Sequence, residues 1–345
     1  MKALAAGLLT LGCGVAVVAC AAPEEASTSL TAMDSTRAPV PEGELVAEDD
    51  TVACDACFPI ESLPEATRRT ADALLLRALD TEALYTLLSD IKPMSSGFAG
   101  LRFPAAETTV PALETLRAIT QTFQCTPRLS GATQVFAATF DGMKSAEALL
   151  FHGPRFAATV TEHTSPFEAL GIGASMQPID AVDIVDRDPT TKRFQAYGHL
   201  FGYPQHAVDF FVAAAEGEDA TGQFVERDFV HVPTFAKPTG AFTYAVPKGH
   251  QPIAADLALR EKAAPVLNAY KHARAEHVQG SSGAARLLRA LFDDGTGRCK
   301  PENAARFVQD HGTAPPPAPV CAGPGGHCSA DADCCSGDCH GDHCH

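Results

Sequence analysis

Residues 224–278 read FVERDFVHVPTFAKPTGAFTYAVPKGHQPIAADLALREKAAPVLNAYKHARAEHV, and the change of period inside this stretch decides the fold class. Phe229, His231 and Pro233 alternate, as do Phe242, Tyr244 and Val246, which is how side chains fall on a strand with one buried face. The Ala- and Leu-rich run from Pro252 to Val278 instead has the helical spacing and predicts the longest helix of the chain. Working outward, helices are expected over 61–88, over 111–123 with Pro111 at a first helical position, over 204–217 with Gly217 closing it, and over 285–293. Strands are expected over 133–140, 155–162, 181–185, 193–203, 224–232 and 241–246. Helices grouped at both ends around a strand-rich middle predict an α+β fold, not repeated βαβ units. Its centre is expected to be a mainly antiparallel sheet with flanking helices, with a small disulfide-rich module at the C-terminus.

The 345 residues are 46% apolar, enough for a sizeable core, but there is no Trp and aromatics reach only 7%, so Ala, Leu, Val and Phe must fill it. The formal net charge of −16 and the lack of any Lys/Arg run argue against nucleic acid as a partner. The acidity is concentrated. Residues 21–53 hold eight acids against the single Arg37, and residues 321–345 hold four Asp and no Lys or Arg. Segment 21–53 is also rich in Ala, Ser, Thr and Pro, and is expected to be a disordered acidic tether.

Lys2 followed by the uncharged, largely apolar run Ala3 to Ala19 has the layout of a signal peptide. Val17-Val18-Ala19-Cys20 resembles a bacterial lipobox, with Val17 where Leu is usual. The resemblance implies a signal peptide over 1–20, lipidation of Cys20 and an outer-membrane or cell-surface lipoprotein of the cell envelope. The alternative is plain cleavage next to Ala19-Cys20-Ala21, which would leave a periplasmic or secreted protein.

Six of the twelve Cys crowd into the last 25 residues, at Cys321, Cys328, Cys334, Cys335, Cys339 and Cys344. The adjacent pair Cys334-Cys335, with two Cys on each side, resembles the inhibitor cystine knot, or knottin, framework. CSADADCCSGDCHGDHC is also similar to Dickkopf-type cysteine-rich modules. The knottin resemblance implies the bridges Cys321–Cys335, Cys328–Cys339 and Cys334–Cys344. A segment this short has almost no apolar side chains to bury, so cross-links must hold it. A metal site using the nearby His327, His340, His343 and His345 is the competing reading. Thr313 to Val320, TAPPPAPV, is a Pro-rich linker that separates the module at 321–345 from a globular body over 54–312.

The body contains Cys54, Cys57, Cys125 and Cys299. Three readings compete for them: a redox Cys-x-x-Cys, a four-Cys zinc site, and two structural disulfides tying the N-terminal segment to Cys125 and Cys299. An oxidising compartment favours the disulfides.

No nucleophile elbow, phosphate loop or metalloprotease helix is present. The densest polar cluster is HLFGYPQHAVD, with His199, His206 and Asp209; His231 is the other histidine that could join it in a metal or acid–base site. Structural roles compete for each: a hydrogen-bonded His at a strand end, or Asp209 as a helix cap. Asp183, Asp186 and Asp188 offer carboxylates for Ca²⁺, yet DRDPTT reads first as a turn. Ile91 to Phe98 is a polar turn placed to line a pocket. No cofactor and no metal ion is expected. The expected role is a ligand- or partner-binding domain held at the membrane by its lipid anchor, facing a protein or glycan at the cell surface. The alternatives are an envelope hydrolase or metal-dependent enzyme using His199 and His206, or a knottin-like tail acting as an inhibitor or adhesive head.

Overall fold

The computed structural model describes residues 51–313 apart from 238 and 240, together with the backbone of 339–340 and 343–344. The expected signal peptide with Cys20, nearly all of the tether, and the six-Cys module with its pairing lie outside the described residues, save for a two-residue antiparallel pair that sets His343 opposite His340 and Cys344 opposite Cys339.

In chain order the body runs β1 (Val52–Ala53), α1 (Glu65–Asp80), α2 (Leu84–Leu87), β2 (Met94–Ser95), β3 (Gly100–Pro104), α3 (Pro111–Gln121), β4 (Leu129–Val135) and β5 (Met143–His152). Then come α4 (Gly153–Glu162), α5 (Thr164–Glu168), α6 (Pro178–Arg187), α7 (Lys192–Leu200), α8 (Gln205–Thr221), β6 (Arg227–Val232) and β7 (Phe242–Pro247), followed by α9 (Ala254–His277), α10 (Ala284–Phe292), β8 (Arg298–Cys299) and α11 (Asn303–His311). The fold is α+β, built from antiparallel sheets with flanking helices.

β5 is the centre of the larger sheet. One edge pairs with β4 and the other with β3 and β2. Successive side chains of a strand point to opposite faces, and here both faces are covered. Ala148 and Leu150 enter a core shared by α1, α2, α3, α9, α10 and the β6–β7 hairpin, while Leu149 and Phe151 enter a second core lined by α4 to α7. Each large apolar side chain buried this way contributes roughly 1.5–3 kcal/mol.

The second core is where sequence expectation and structure part. Segments 155–162, 181–185 and 193–203, expected as strands, are the helices α4, α6 and α7. Their buried residues explain why: Phe156, Thr159 and Val160; Ala181, Val182 and Val185; Ala196, His199 and Leu200 all recur at three and four. Pro154 and Pro178 occupy first-turn positions, and the His152 ring accepts the Arg155 amide at the start of α4. Helical packing against the second core overrode strand propensity. The strand-rich middle is therefore largely helical.

Smaller differences follow. The expected helix over 61–88 breaks into α1 and α2 at Thr81. The helix from Gln205 passes through Gly217 to Thr221 and stops at Gly222, which takes the left-handed conformation. Asp183 and Asp186 lie on α6, and the Asp186 carboxylate accepts the Ala137 amide; the turn comes after them, where Asp188 accepts the Thr190 amide. Ile91 to Phe98 lines no open space at Lys92. That side chain is wholly buried, donating to Glu82 Oε2 (3.1 Å) and the Phe201 carbonyl (2.7 Å) beneath the Phe242 ring.

Of the three readings of the body cysteines, the structure has the disulfides, Cys54–Cys299 and Cys57–Cys125. The first pins β1 antiparallel to β8, with Val52 opposite Cys299. Folded chain thus begins before residue 54, and the last residues of the expected tether belong to the body. Among the described residues no helix is long and apolar enough to cross a membrane.

Candidate metal centre

Two short chain reversals and a helix start bring the key side chains together. Between α7 and α8 the chain turns at Gly202, whose φ of 74° favours glycine, and Pro204 then starts α8 so that His206 falls in its first turn. Gly198 lets the two helices close: a Cβ there would sit 2.8 Å from Val208. After β7, the turn Pro247-Lys248-Gly249-His250 is closed by the His250 amide on the Pro247 carbonyl and clamped by Asp228, which accepts from Lys248 Nζ and the Gly249 amide (2.8 Å each). Asp256 lies in the first turn of α9, where its carboxylate accepts the amide of Ile253 at the helix start (2.9 Å).

The result is one group built from α8, the β7–α9 turn and α9. His206, His250 and Asp256 each present a ligand atom, all within 4.8 Å of one another. Asp256 is fully buried, whereas the His250 and His206 side chains are 11% and 23% exposed, so the group is reached from the imidazole side. Tyr244 from β7 donates its hydroxyl to Asp256 Oδ1 at 2.6 Å, and His250 Nε2 lies 2.8 Å from Oδ2. The two imidazoles stack with centroids 5.5 Å apart. His206 Nε2 lies 3.1 Å from Asp256 Oδ1 but is buried and misaligned, so it makes no hydrogen bond.

Electrostatics favour a cation here. Burial works against charge on Asp256, but hydrogen bonds from Tyr244, His250 and the Ile253 amide outweigh it and hold its pKa below the ordinary value. Burial, reinforced by the Asp256 carboxylate, keeps the Tyr244 hydroxyl protonated. The site thus offers a fixed negative charge, two imidazole nitrogens and a locked outer hydrogen bond. A tetrahedral zinc ion with bonds near 2.0–2.1 Å spaces its ligand atoms about 3.3 Å apart. The two His–Asp256 distances of 3.1 and 2.8 Å already match that spacing, and the group as a whole lies within 4.8 Å, so its widest pair would close by up to about 1.5 Å around the ion.

Of the residues singled out from sequence, only His206 joins this group. Asp209, three residues on, is exposed and accepts from Gln205 Nε2 (2.7 Å). His231 sits on β6 with its Nδ1 2.9 Å from the Thr243 hydroxyl, a cross-strand structural contact. His199 is in α7, not at a strand end, and its ring stacks on His163 at 3.7 Å. The HLFGYPQH segment therefore splits its two histidines between different neighbourhoods on either side of the Gly202 turn. Sequence reasoning missed His250, Asp256 and Tyr244. An acid in a helix's first turn reads as an ordinary cap, and it is only the histidine-bearing turn just before it that marks this one. No metal ion was expected, yet this donor set is of metal-binding type. Compared with family models, curated proteins and solved structures, the chain matches none of them.

Proposed function

We propose that this chain is an exported, lipid-anchored envelope protein whose body binds a divalent transition-metal ion through His206, His250 and Asp256. The observation that carries the metal reading is the buried His206 Nε2 without a hydrogen bond, beside a buried carboxylate in a group of ligand spacing. The nitrogen and the carboxylate oxygen lie 3.1 Å apart without a hydrogen bond, and a cation between them would give each a partner. Imidazole and carboxylate donors suit Zn²⁺ and its neighbours in the first transition series. Export is supported by the lipobox-like segment ending at Cys20 and by the two body disulfides, which persist in oxidising compartments.

The test is metal content and Zn²⁺ titration of the purified protein, beside the double variant His206→Ala/His250→Ala. One equivalent bound by the wild type and none by the variant is expected; equal binding by both, or none by either, overturns the reading. Labelling with a radioactive fatty acid tests the anchor, with incorporation expected in the wild type and lost in Cys20→Ser.

A second reading is metal-assisted hydrolysis. Three protein ligands with a solvent-reached side leave a position for water, the arrangement of catalytic rather than structural zinc sites. It predicts hydrolysis of an activated ester only by the metal-loaded protein.

A further inference from the structure

Among the described residues, Lys92 is the one Lys or Arg side chain shut off completely from solvent. Its Nζ lies 3.1 Å from Glu82 Oε2, and the rings of Phe242, Phe201 and Tyr203 close around it at 4.0, 5.5 and 5.7 Å. The chain between the two residues is held in one shape: α2 turns it, and the Lys92 amide on the Tyr85 carbonyl (3.3 Å) brings it back. The other carboxylate oxygen, Glu82 Oε1, accepts the Ser96 amide (3.4 Å), and the Ser96 side chain hydrogen-bonds with a second carboxyl, Glu147 of β5.

An ion pair in this position has lost the hydration of both charges, and their attraction repays that only in part. Burial lowers the pKa of Lys92 against the pull of Glu82. Passing one proton from Nζ to the carboxylate removes both charges and leaves a neutral, desolvated amine, which is a strong nucleophile. That amine is held against a single carboxyl group, so the encounter that limits amide formation in solution is already made. The Ser96 amide sits on the oxygen that gains negative charge as nitrogen adds to the carboxyl carbon. Burial, opposed by Ser96 and helped by Glu82, pushes the pKa of Glu147 up to about 7, so at neutral pH this carboxyl has a proton to give to a leaving hydroxyl.

We propose that Lys92 and Glu82 condense in the folded protein to a side-chain amide, a covalent cross-link between the turns that precede α2 and β2. The balance is closed within the group. The Nζ lone pair forms a bond to Glu82 Cδ, and the Cδ–Oε2 bond breaks. Oε2 leaves as water, carrying the proton it took from the ammonium and one from Glu147, which recovers its own from the nitrogen. One water is released, and no oxidant, reductant or cofactor takes part. The Glu82 side chain is 11% exposed, which gives the water its exit, while the rings around Nζ keep bulk solvent from the new amide. The cross-link does not depend on the metal reading, because it shares no side chain with that group.

The experiment is mass spectrometry of the purified full chain, denatured, reduced, alkylated and then treated with an amine-labelling reagent. Trypsin leaves residues 78–102 as one peptide, because Pro93 blocks cleavage after Lys92. In the wild type this peptide should be lighter by one water and carry no label on Lys92. Its fragment spectrum should be silent between Glu82 and Lys92, since a backbone break inside a covalent ring separates nothing. Glu82→Ala should restore the full mass and let Lys92 be labelled. Both readings are taken on denatured chains, so a loss of stability in the variant does not blur them. A wild-type peptide of full mass with Lys92 labelled means that the pair is an ordinary buried ion pair and overturns the proposal. So does a missing water that persists in Glu82→Ala, or fragment ions that place it outside the segment from Glu82 to Lys92.

Discussion

The two stacked histidine pairs are built from the same side chain and differ in one neighbour. His206 and His250 face the buried Asp256 carboxylate. His163 and His199 face no carboxylate at hydrogen-bonding distance, and burial lowers both of their pKa values. Beside a fixed negative charge an imidazole pair becomes a cation site. Desolvated without one, it becomes a neutral donor–acceptor pair. The carboxylate, more than the histidines, sets the chemistry of each region.

The strongest attack on that contrast is Asp256→Ala. It strips the partner from Tyr244, His250 and the Ile253 amide at once, and should cost about 3–5 kcal/mol in denaturant unfolding while abolishing metal binding. His199→Phe should cost far less, because no protein hydrogen bond to Nδ1 is lost; equal costs would mean that both pairs are structural.

The next effect is in pH. The folded pKa of His199 is depressed to about 4 from 6.5, so its contribution to stability is complete above about 6.5 and is lost as pH falls toward 4. Thermal melts should show roughly 2 kcal/mol of this loss after allowance for solvent around the ring, and His199→Phe should flatten it. Tyr244→Phe is subtler. It removes an outer hydrogen bond to a metal ligand, and a titration should find affinity reduced about tenfold with the site intact.

The smallest change serves as a control of opposite sign on β5. Burial raises the pKa of Glu147 to about 7 from 4.5, opposed by a hydrogen bond with Ser96 and helped by Glu82. The stability it contributes is complete below about 4.5 and is lost as pH rises through 7. Glu147→Gln should therefore stabilise the protein by about 1 kcal/mol at pH 8 and leave it unchanged near pH 4, as read from melting temperature.

How much of this was legible in the chain depends on the range over which each signal acts. The 242–246 alternation and the long helix after Pro252 stand where they were read, because local period and packing agree there. So does the reading of the body cysteines as two disulfides reaching Cys125 and Cys299; which of Cys54 and Cys57 takes which partner is decided only by the fold. The 229–233 alternation marks the wrong face of its strand: Phe229 is exposed, and Val230 and Val232 are the side chains that enter the core. α4, α6 and α7 were misread because Val, Thr, Ile and Phe fill them for the sake of the second core, which no local window contains. At the site, His206 stood out within a dense polar run. His250 and Asp256 were hidden by occupying positions with ordinary local explanations, a turn and a helix start. Their meaning comes from the approach of α8 to β7, between segments some fifty residues apart.

The Cys54–Cys299 bridge has a consequence for how the molecule survives a cut in its backbone. It closes a covalent ring through backbone and sulfur with a sequence separation of 245, and Cys57–Cys125 closes a smaller ring inside it. One proteolytic cut anywhere between Cys54 and Cys299 opens the ring without releasing a piece. The severed ends stay tethered, and the dense packing on both faces of β5 can keep them in register. A nicked molecule should migrate as one species on a non-reducing gel, separating into fragments only when a thiol reductant is added.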